Sequence, residues 1–337
     1  MRTVTVARHA MNTRFEILLP GEDVVRLRAA GEVALDEIER LDAQLSLFRP
    51  ASEIRRINRH AAEQPVRVSP PVFRLLQQAR TLWQETAGAF DPTVGPLVRA
   101  WGFLAGSGRR PEPSALAEAR SRVGLQQVEL RERDGTVRFA QPGIMLDLGA
   151  IGKGYAIDCA VETLRENGVT GAFLHGGTSS VYGLGRPSEG ETWKTALCDA
   201  RRDRVERETS ASSGTAPPGG VGLDRASEEP TRDRNWLLAE IPLCDESLGV
   251  SAVWGRSFVA EGTVYGHVID PRTGEPVQHA VLAAVRLPSA TETDALSTAL
   301  LTLGRPGLEV LSRQRPGARL LLAERWGAPL EVSPFIR

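Results

Sequence analysis

The chain has 337 residues, 41% of them hydrophobic and 25% charged, with a formal net charge of −1. These values describe a soluble globular protein able to bury a substantial core, as one large domain or two. They give no electrostatic case for nucleic acid or an anionic membrane as partner. Three scattered cysteines, Cys159, Cys198 and Cys244, are too few for a disulfide framework or a zinc site. The start of the chain, Met1 to His9, has no apolar h-region and no lipid-anchor cysteine, and no run is long enough to span a bilayer. The expectation is a cytoplasmic protein.

Thr3 to Val6 and Arg14 to Leu19 read as two strands, interrupted at Ala10-Met11-Asn12-Thr13. From Asp23 to Leu45, the positions Val24, Leu27, Ala34, Ile38, Leu41 and Leu45 follow helical spacing. Ser52 caps a short helix through Asn58, and Ser69-Pro70-Pro71 opens another that Gly88 stops. Asp134-Gly135 marks a hairpin between Gln127–Arg131 and Thr136–Ala140. Ile144 to Leu148 reads as a strand, and the glycine-rich run from Gly149 to Gly154 leads into a helix that ends at Asn167-Gly168. Ala172 to His175 is a strand.

Residues 200–234 are rich in Arg, Glu, Ser, Gly and Pro, with Val205, Val221 and Leu223 as the large aliphatics. Such a segment buries too little apolar surface to offset its ordering entropy. It predicts a disordered insertion between strands at Thr192–Leu197 and Trp236–Ile241. Further strands fall near Ser251, Phe258, Val264–Ile269, Val281–Leu287 and Arg319–Ala323, with a helix from Thr293 to Leu303. Strands and helices intermix, which predicts an α+β fold of mixed or antiparallel sheets flanked by helices. One domain spans 1–337, with room for two subdomains.

Asp294 and Thr298 lie four residues apart on the last predicted helix, so a carboxylate and a hydroxyl share one face. Upstream, His267 precedes Asp270-Pro271-Arg272-Thr273-Gly274. Hard oxygen donors beside such a turn suit a small hard cation and the phosphates it neutralises. Alone, the pair is also an ordinary helix start. The run Asp147-Leu148-Gly149-Ala150-Ile151-Gly152-Lys153-Gly154-Tyr155 has neither P-loop nor Gly-x-Gly-x-x-Gly spacing, yet it exposes backbone N–H groups to an approaching phosphate. Gly88 to Phe103 reads as a rigid lining loop, Phe48 offers a ring face for stacking, and Gly176-Gly177-Thr178 ends a strand.

Taken in order, these segments resemble the ApbE family of FAD:protein FMN transferases. The matching elements are Met11-Asn12-Thr13, Phe48 to Glu53, Phe90 to Leu97, Trp101 to Phe103, Asp147 to Tyr155, Gly176-Gly177, His267 to Gly274 and Asp294 to Leu300. The resemblance covers nearly all of the chain outside 200–234. It implies an ApbE-like, T-fold-like architecture and a Mg2+-dependent transfer of FMN from FAD to a threonine hydroxyl of a target flavoprotein, with release of AMP. Alternatives within the family are hydrolysis of FAD to FMN and AMP, or flavin binding without catalysis.

By the same resemblance, Asp294, Thr298 and a backbone carbonyl near Gly152 hold the cation. Met11, Phe48, Asp91, Thr93, Lys153, Gly176, Gly177, and His267 with Asp270, contact the flavin nucleotide. His267 is favoured as base and Asp294 as ligand, although either could accept the proton. The implied partners are FAD and an acceptor flavoprotein with a Ser/Thr motif. The chain departs from the family pattern at Phe48 (for Tyr), Asn12 (for Gly), Gly152 (for Ala), Thr178, and Ser251-Ala252-Val253-Trp254 (for Ser-Gly-Asp-Tyr).

Overall fold

The structure is a computed structural model that describes residues 2–104, 106, 108–198, 237–325 and 331–332. The predicted insertion at 200–234 lies outside the described residues, as does Trp236.

In chain order the elements are β1 (Arg2–Ala10), β2 (Thr13–Gly21), α1 (Val24–Leu45), α2 (Glu53–His60), β3 (Val66–Arg67), α3 (Pro70–Glu85), α4 (Gly95–Ala100) and α5 (Pro113–Ser121). Next come β4 (Val128–Arg131), β5 (Thr136–Phe139), α6 (Gly152–Glu166), β6 (Ala172–Gly176), β7 (Ser180–Leu184), β8 (Trp193–Cys198) and β9 (Leu237–Leu243). The rest are β10 (Glu246–Ala252), β11 (Ser257–Ala260), β12 (Thr263–Gly266), β13 (Leu282–Leu287), α7 (Ala290–Leu303), α8 (Arg305–Gln314), β14 (Arg319–Ala323) and β15 (Glu331–Val332).

Eight strands form the central sheet in the order β1-β2-β6-β7-β10-β13-β14-β15, and its ladders are antiparallel. The fold is therefore α+β, with the mixed-or-antiparallel expectation resolved to antiparallel. Alternation along β6 separates its two faces. Ala172 and Leu174 join the main core with α1, α6 and α7, whereas Phe173 joins a second cluster. The β8–β9 hairpin covers that second face through Leu197, Ile241 and Leu243. A third cluster of Leu97, Trp101, Phe103 and Ile269 supports the two-stranded β11–β12 sheet through Phe258 and Tyr265.

Local chemistry explains most boundaries. Asp23 caps α1 by accepting from the Arg26 N–H, and Ser52 caps α2 by accepting from Arg55. Ser69 makes no such cap; its N–H and Oγ both donate to the Glu53 carboxylate. Met11 and Asn12 take φ of 48° and 60°, the paired left-handed conformation of a two-residue hairpin turn.

Two expectations are corrected. Ile144–Leu148 is an extended connector, because its backbone groups bond to Asn58, to the Pro92 carbonyl and through one bridge from Met145 to Val94. The last major helix starts at Ala290, not Thr293, because the Asp158 carboxylate accepts from the Ala290 and Thr291 N–H groups and from both neighbouring hydroxyls. Strand β7 and helices α4, α5 and α8 were not anticipated. Among the described residues no helix is long and apolar enough to cross a membrane.

Helix α7 packs against α6 on one side and β10 on another with no space for side chains at two points. A Cβ on Gly154 would lie 2.0 Å from the Ala290 carbonyl oxygen, and one on Gly249 would lie 2.3 Å from that of Thr293. Gly154→Ala is expected to force α6 and α7 apart, at about 1–3 kcal/mol and a melting temperature lower by roughly 2–10 °C. Thermal denaturation followed by circular dichroism measures this, and an unchanged midpoint would show that the two helices can separate freely.

Candidate active site

A cavity of about 1930 Å³ opens where the β1–β2 turn, the loop before α2, the Gly149–Lys153 turn, the ends of β6 and β10, and α7 converge. The β8–β9 hairpin closes one side. Met11, Phe48, Asp91, Gly152, Lys153, Gly176, Gly177, His267, Asp294 and Thr298 all line it. Thr93 and Asp270 do not.

Asp294 and Thr298 lie one turn apart on α7, as their spacing predicts, but both sit beyond its first turn. One carboxylate oxygen of Asp294 accepts the Gly154 N–H at 3.0 Å. The other faces Lys153 Nζ at 3.5 Å and Ser180 Oγ at 3.4 Å. Thr298 Oγ1 lies 2.9 Å from Ser251 Oγ, which is also 2.9 Å from Ser297 Oγ. The buried carboxylate thus meets one cation, one backbone donor and one hydroxyl, with further hydroxyls one turn along the helix. Among the described residues there is no cluster of three or more His, Cys, Asp and Glu able to hold a metal. The oxygen donors are one carboxylate, hydroxyls and backbone.

The glycine-rich turn ends in the first turn of α6, so Gly152 and Lys153 present the positive end of a 15-residue helix to the cavity. Asp147, at the start of the turn, accepts the Gly149 N–H at 2.9 Å, and burial pushes its carboxyl above the usual range.

His267 follows β12 directly. Burial lowers its imidazole below the ordinary value, the Arg256 and Lys153 charges act in the same direction, and a hydrogen bond to the Arg256 backbone opposes them. Its Nδ1 is buried without a partner. Asp270 faces away from the cavity and locks the following turn. Its carboxylate accepts from the Arg272 backbone N–H and from the guanidinium at 2.9 and 2.7 Å. The Gly274 N–H bonds back to its carbonyl. Trp101 Nε1 donates to the Gly274 carbonyl at 2.8 Å, tying the turn to the loop after α4.

Asp91 reaches the cavity wall, but its carboxylate accepts from the Thr93 N–H and hydroxyl and from the Leu125 N–H. Burial raises its carboxyl. Thr93 is fully buried behind it, and Thr93 Oγ1 also accepts the Gly124 N–H at 2.7 Å. Phe48 is 62% exposed, leaving its ring free at the cavity rim. Gly176 and Gly177 form the turn from β6 towards β7, with the Gly177 N–H donating to the Arg14 carbonyl. Sequence reasoning missed Ser180, His175 and Arg256 as cavity or carboxylate neighbours. Ser180 belongs to the unanticipated β7, while His175 faces the cavity only because β6 alternates; Arg256 carried no motif.

The family model for the ApbE family matches residues 11–322. A FAD:protein FMN transferase of Treponema pallidum is 32% identical over 289 residues, covering 82% of this chain and 74% of the relative. One from Klebsiella pneumoniae is 27% identical over 339 residues, covering 97% and 86%. The crystal structure of the ApbE protein of Thermotoga maritima superimposes with a TM-score of 0.81 at 27% identity, covering 99% of this chain and 97% of that one. A fold built on this antiparallel sheet, with these motifs around one cavity, is the flavin-transferase type. The chain belongs to the ApbE family.

Thr93→Val tests the bridge behind the cavity wall. It leaves the buried Gly124 N–H without its acceptor, so stability should fall by about 1–3 kcal/mol. Chemical denaturation measures the loss. An unchanged midpoint would mean that Thr93 does not carry the bridge.

Proposed function

We propose that the protein transfers FMN from FAD to a threonine hydroxyl of an acceptor flavoprotein and releases AMP, with Mg2+ held at Asp294 and Thr298. The observation that carries this reading is the meeting of Asp294, Thr298, Lys153, the α6 N-terminus and His267 in one cavity. The names of the relatives supply the donor and the class of acceptor.

The donor set fits magnesium better than a metal caged by protein alone. Mg2+ is commonly held by one or two carboxylates plus substrate phosphates and water. Asp294 and Thr298, with a backbone carbonyl near Gly152, would hold it. When bound, the cation supplies charge neutralisation at the diphosphate oxygens.

The remaining work falls to the chain's own groups. Lys153 and the positive end of the α6 dipole attract and orient the diphosphate. Phe48 and Met11 offer apolar faces to the flavin nucleotide. His267, held neutral at pH 7 by burial and two nearby cations, accepts the proton of the incoming hydroxyl. The hydroxyl oxygen bonds to the phosphorus of the FMN half. The bond from that phosphorus to the bridging oxygen breaks, and AMP leaves with the oxygen and its electron pair.

Incubation with FAD, Mg2+ and a flavoprotein acceptor should give covalent flavin fluorescence on the acceptor. Free FMN and AMP without labelling would replace this reading with FAD hydrolysis, and bound but intact FAD would replace it with flavin binding alone. Asp294→Ala should abolish Mg2+-dependent transfer while the fold is retained; full activity in that variant would contradict the cation site.

The pH dependence follows from His267. Its neutral form is the base, and its pKa lies below the ordinary value of about 6.5. Transfer should therefore hold its rate through neutral pH and fall only in more acidic solution, as His267 becomes protonated. His267→Asn should cost about 10²–10⁴ in kcat and remove that acid limb. A limb that persists in His267→Asn would assign it to another group.

A further inference from the structure

Besides Lys153 and Lys194, which pairs with Glu240, the cavity is lined by a cation that the motifs do not account for. Arg256 stands at the start of the β11–β12 hairpin and is exposed in the cavity wall. Gly255 before it takes φ of +111°, and a Cβ there would lie 3.9 Å from His267 Cε1, so the chain passes close to the imidazole.

Among the described residues its side chain is aimed by one hydrogen bond. Arg256 Nη1 donates to the Phe103 carbonyl at 2.9 Å. Phe103 in turn packs against Phe258, at 5.8 Å between ring centroids, and Phe258 stacks on Tyr265 at 5.3 Å. The anchor is therefore part of the aromatic cluster that also fixes Trp101. Among the described residues no carboxylate forms an ion pair with Arg256. Asp147 and His267 both feel its charge and that of Lys153, so the two cations border the same pair of groups.

We infer that Arg256 binds the anionic phosphoryl oxygens of the dinucleotide together with Lys153. A guanidinium is a rigid planar fork with five N–H donors, suited to phosphate oxygens. One N–H goes to Phe103, which orients the plane, and the residue lies exposed in the cavity wall. Lys153 acts as a point charge beside Asp294, whereas Arg256 adds geometry on the side of the base. The inference rests on the transferase reading, since it takes FAD as the anion's source.

The test compares wild-type protein with Arg256→Gln and Arg256→Lys, titrated with FAD, ADP and riboflavin in Mg2+ by calorimetry. Loss of charge-assisted hydrogen bonds should weaken FAD and ADP binding in parallel by about 10- to 100-fold in Arg256→Gln. Arg256→Lys should recover part of that loss, and riboflavin affinity should change less than about twofold, the scatter expected for an untouched contact. Melting temperatures, which should match, separate this from a merely structural role. Unchanged FAD and ADP affinities would overturn the inference, and so would a loss for riboflavin as large as that for ADP. If wild-type protein binds ADP but not FAD, the transferase reading falls while the ADP comparison still decides Arg256. If it binds neither, both fall.

Discussion

Helix α6 meets α7 at two residues one turn apart, and the candidate site depends on that meeting. At Gly154 the absence of a Cβ lets the helices close until the Gly154 N–H reaches the Asp294 carboxylate. At Asp158 a carboxylate accepts from the first N–H groups of α7 and fixes where that helix begins. The two contacts set the rotation and height of α7 together. With them in place, Asp294 and Thr298 face the cavity and the opposite side of α7 is buried in the core. A buried carboxylate is costly unless it is paired, and here its partners are a backbone donor, a hydroxyl and a lysine.

The same economy of charge runs through the rest of the cavity. Two cations act on His267, Lys153 from α6 and Arg256 from the β11–β12 hairpin. Both favour the neutral imidazole and both favour an anionic ligand, so one arrangement would suit the proposed proton acceptance and the proposed phosphate binding alike. The aromatic cluster of Trp101, Phe103, Phe258 and Tyr265 ties the hairpin, the loop after α4 and the Asp270 turn into one support. Asp270 thus affects His267 through the turn it locks, rather than from the cavity wall.

Elements with strong periodicity or punctuation were legible in the sequence. Helix α1 was readable from its apolar spacing and Asp23, and the β4–β5 hairpin from Asp134-Gly135. Strand β7 was not, because Gly183 breaks the short run of Val181 to Leu184 and the strand opens on Ser180, a polar residue buried beside Asp294. Ile144–Leu148 looks like a strand because it is apolar, yet its backbone partners are a side-chain amide and a turn, which no pattern encodes. Motif order located most cavity residues. It did not distinguish residues that face the cavity from those that support it, such as Thr93 and Asp270, since both kinds belong to the same short motifs. Arg256 lies outside every motif, and only the fold brings it to His267.

The central claim is that Asp294 and Thr298 form the cation end of a flavin dinucleotide site. Crystals grown with FAD and Mn2+ test it most directly through the anomalous signal of the metal. The account predicts one strong peak at about 2.0–2.3 Å from an Asp294 carboxylate oxygen and the Thr298 hydroxyl, with the diphosphate between it and Lys153. A metal bound at Asp147 or Asp91 instead, or FAD bound with its diphosphate away from α7, would contradict it.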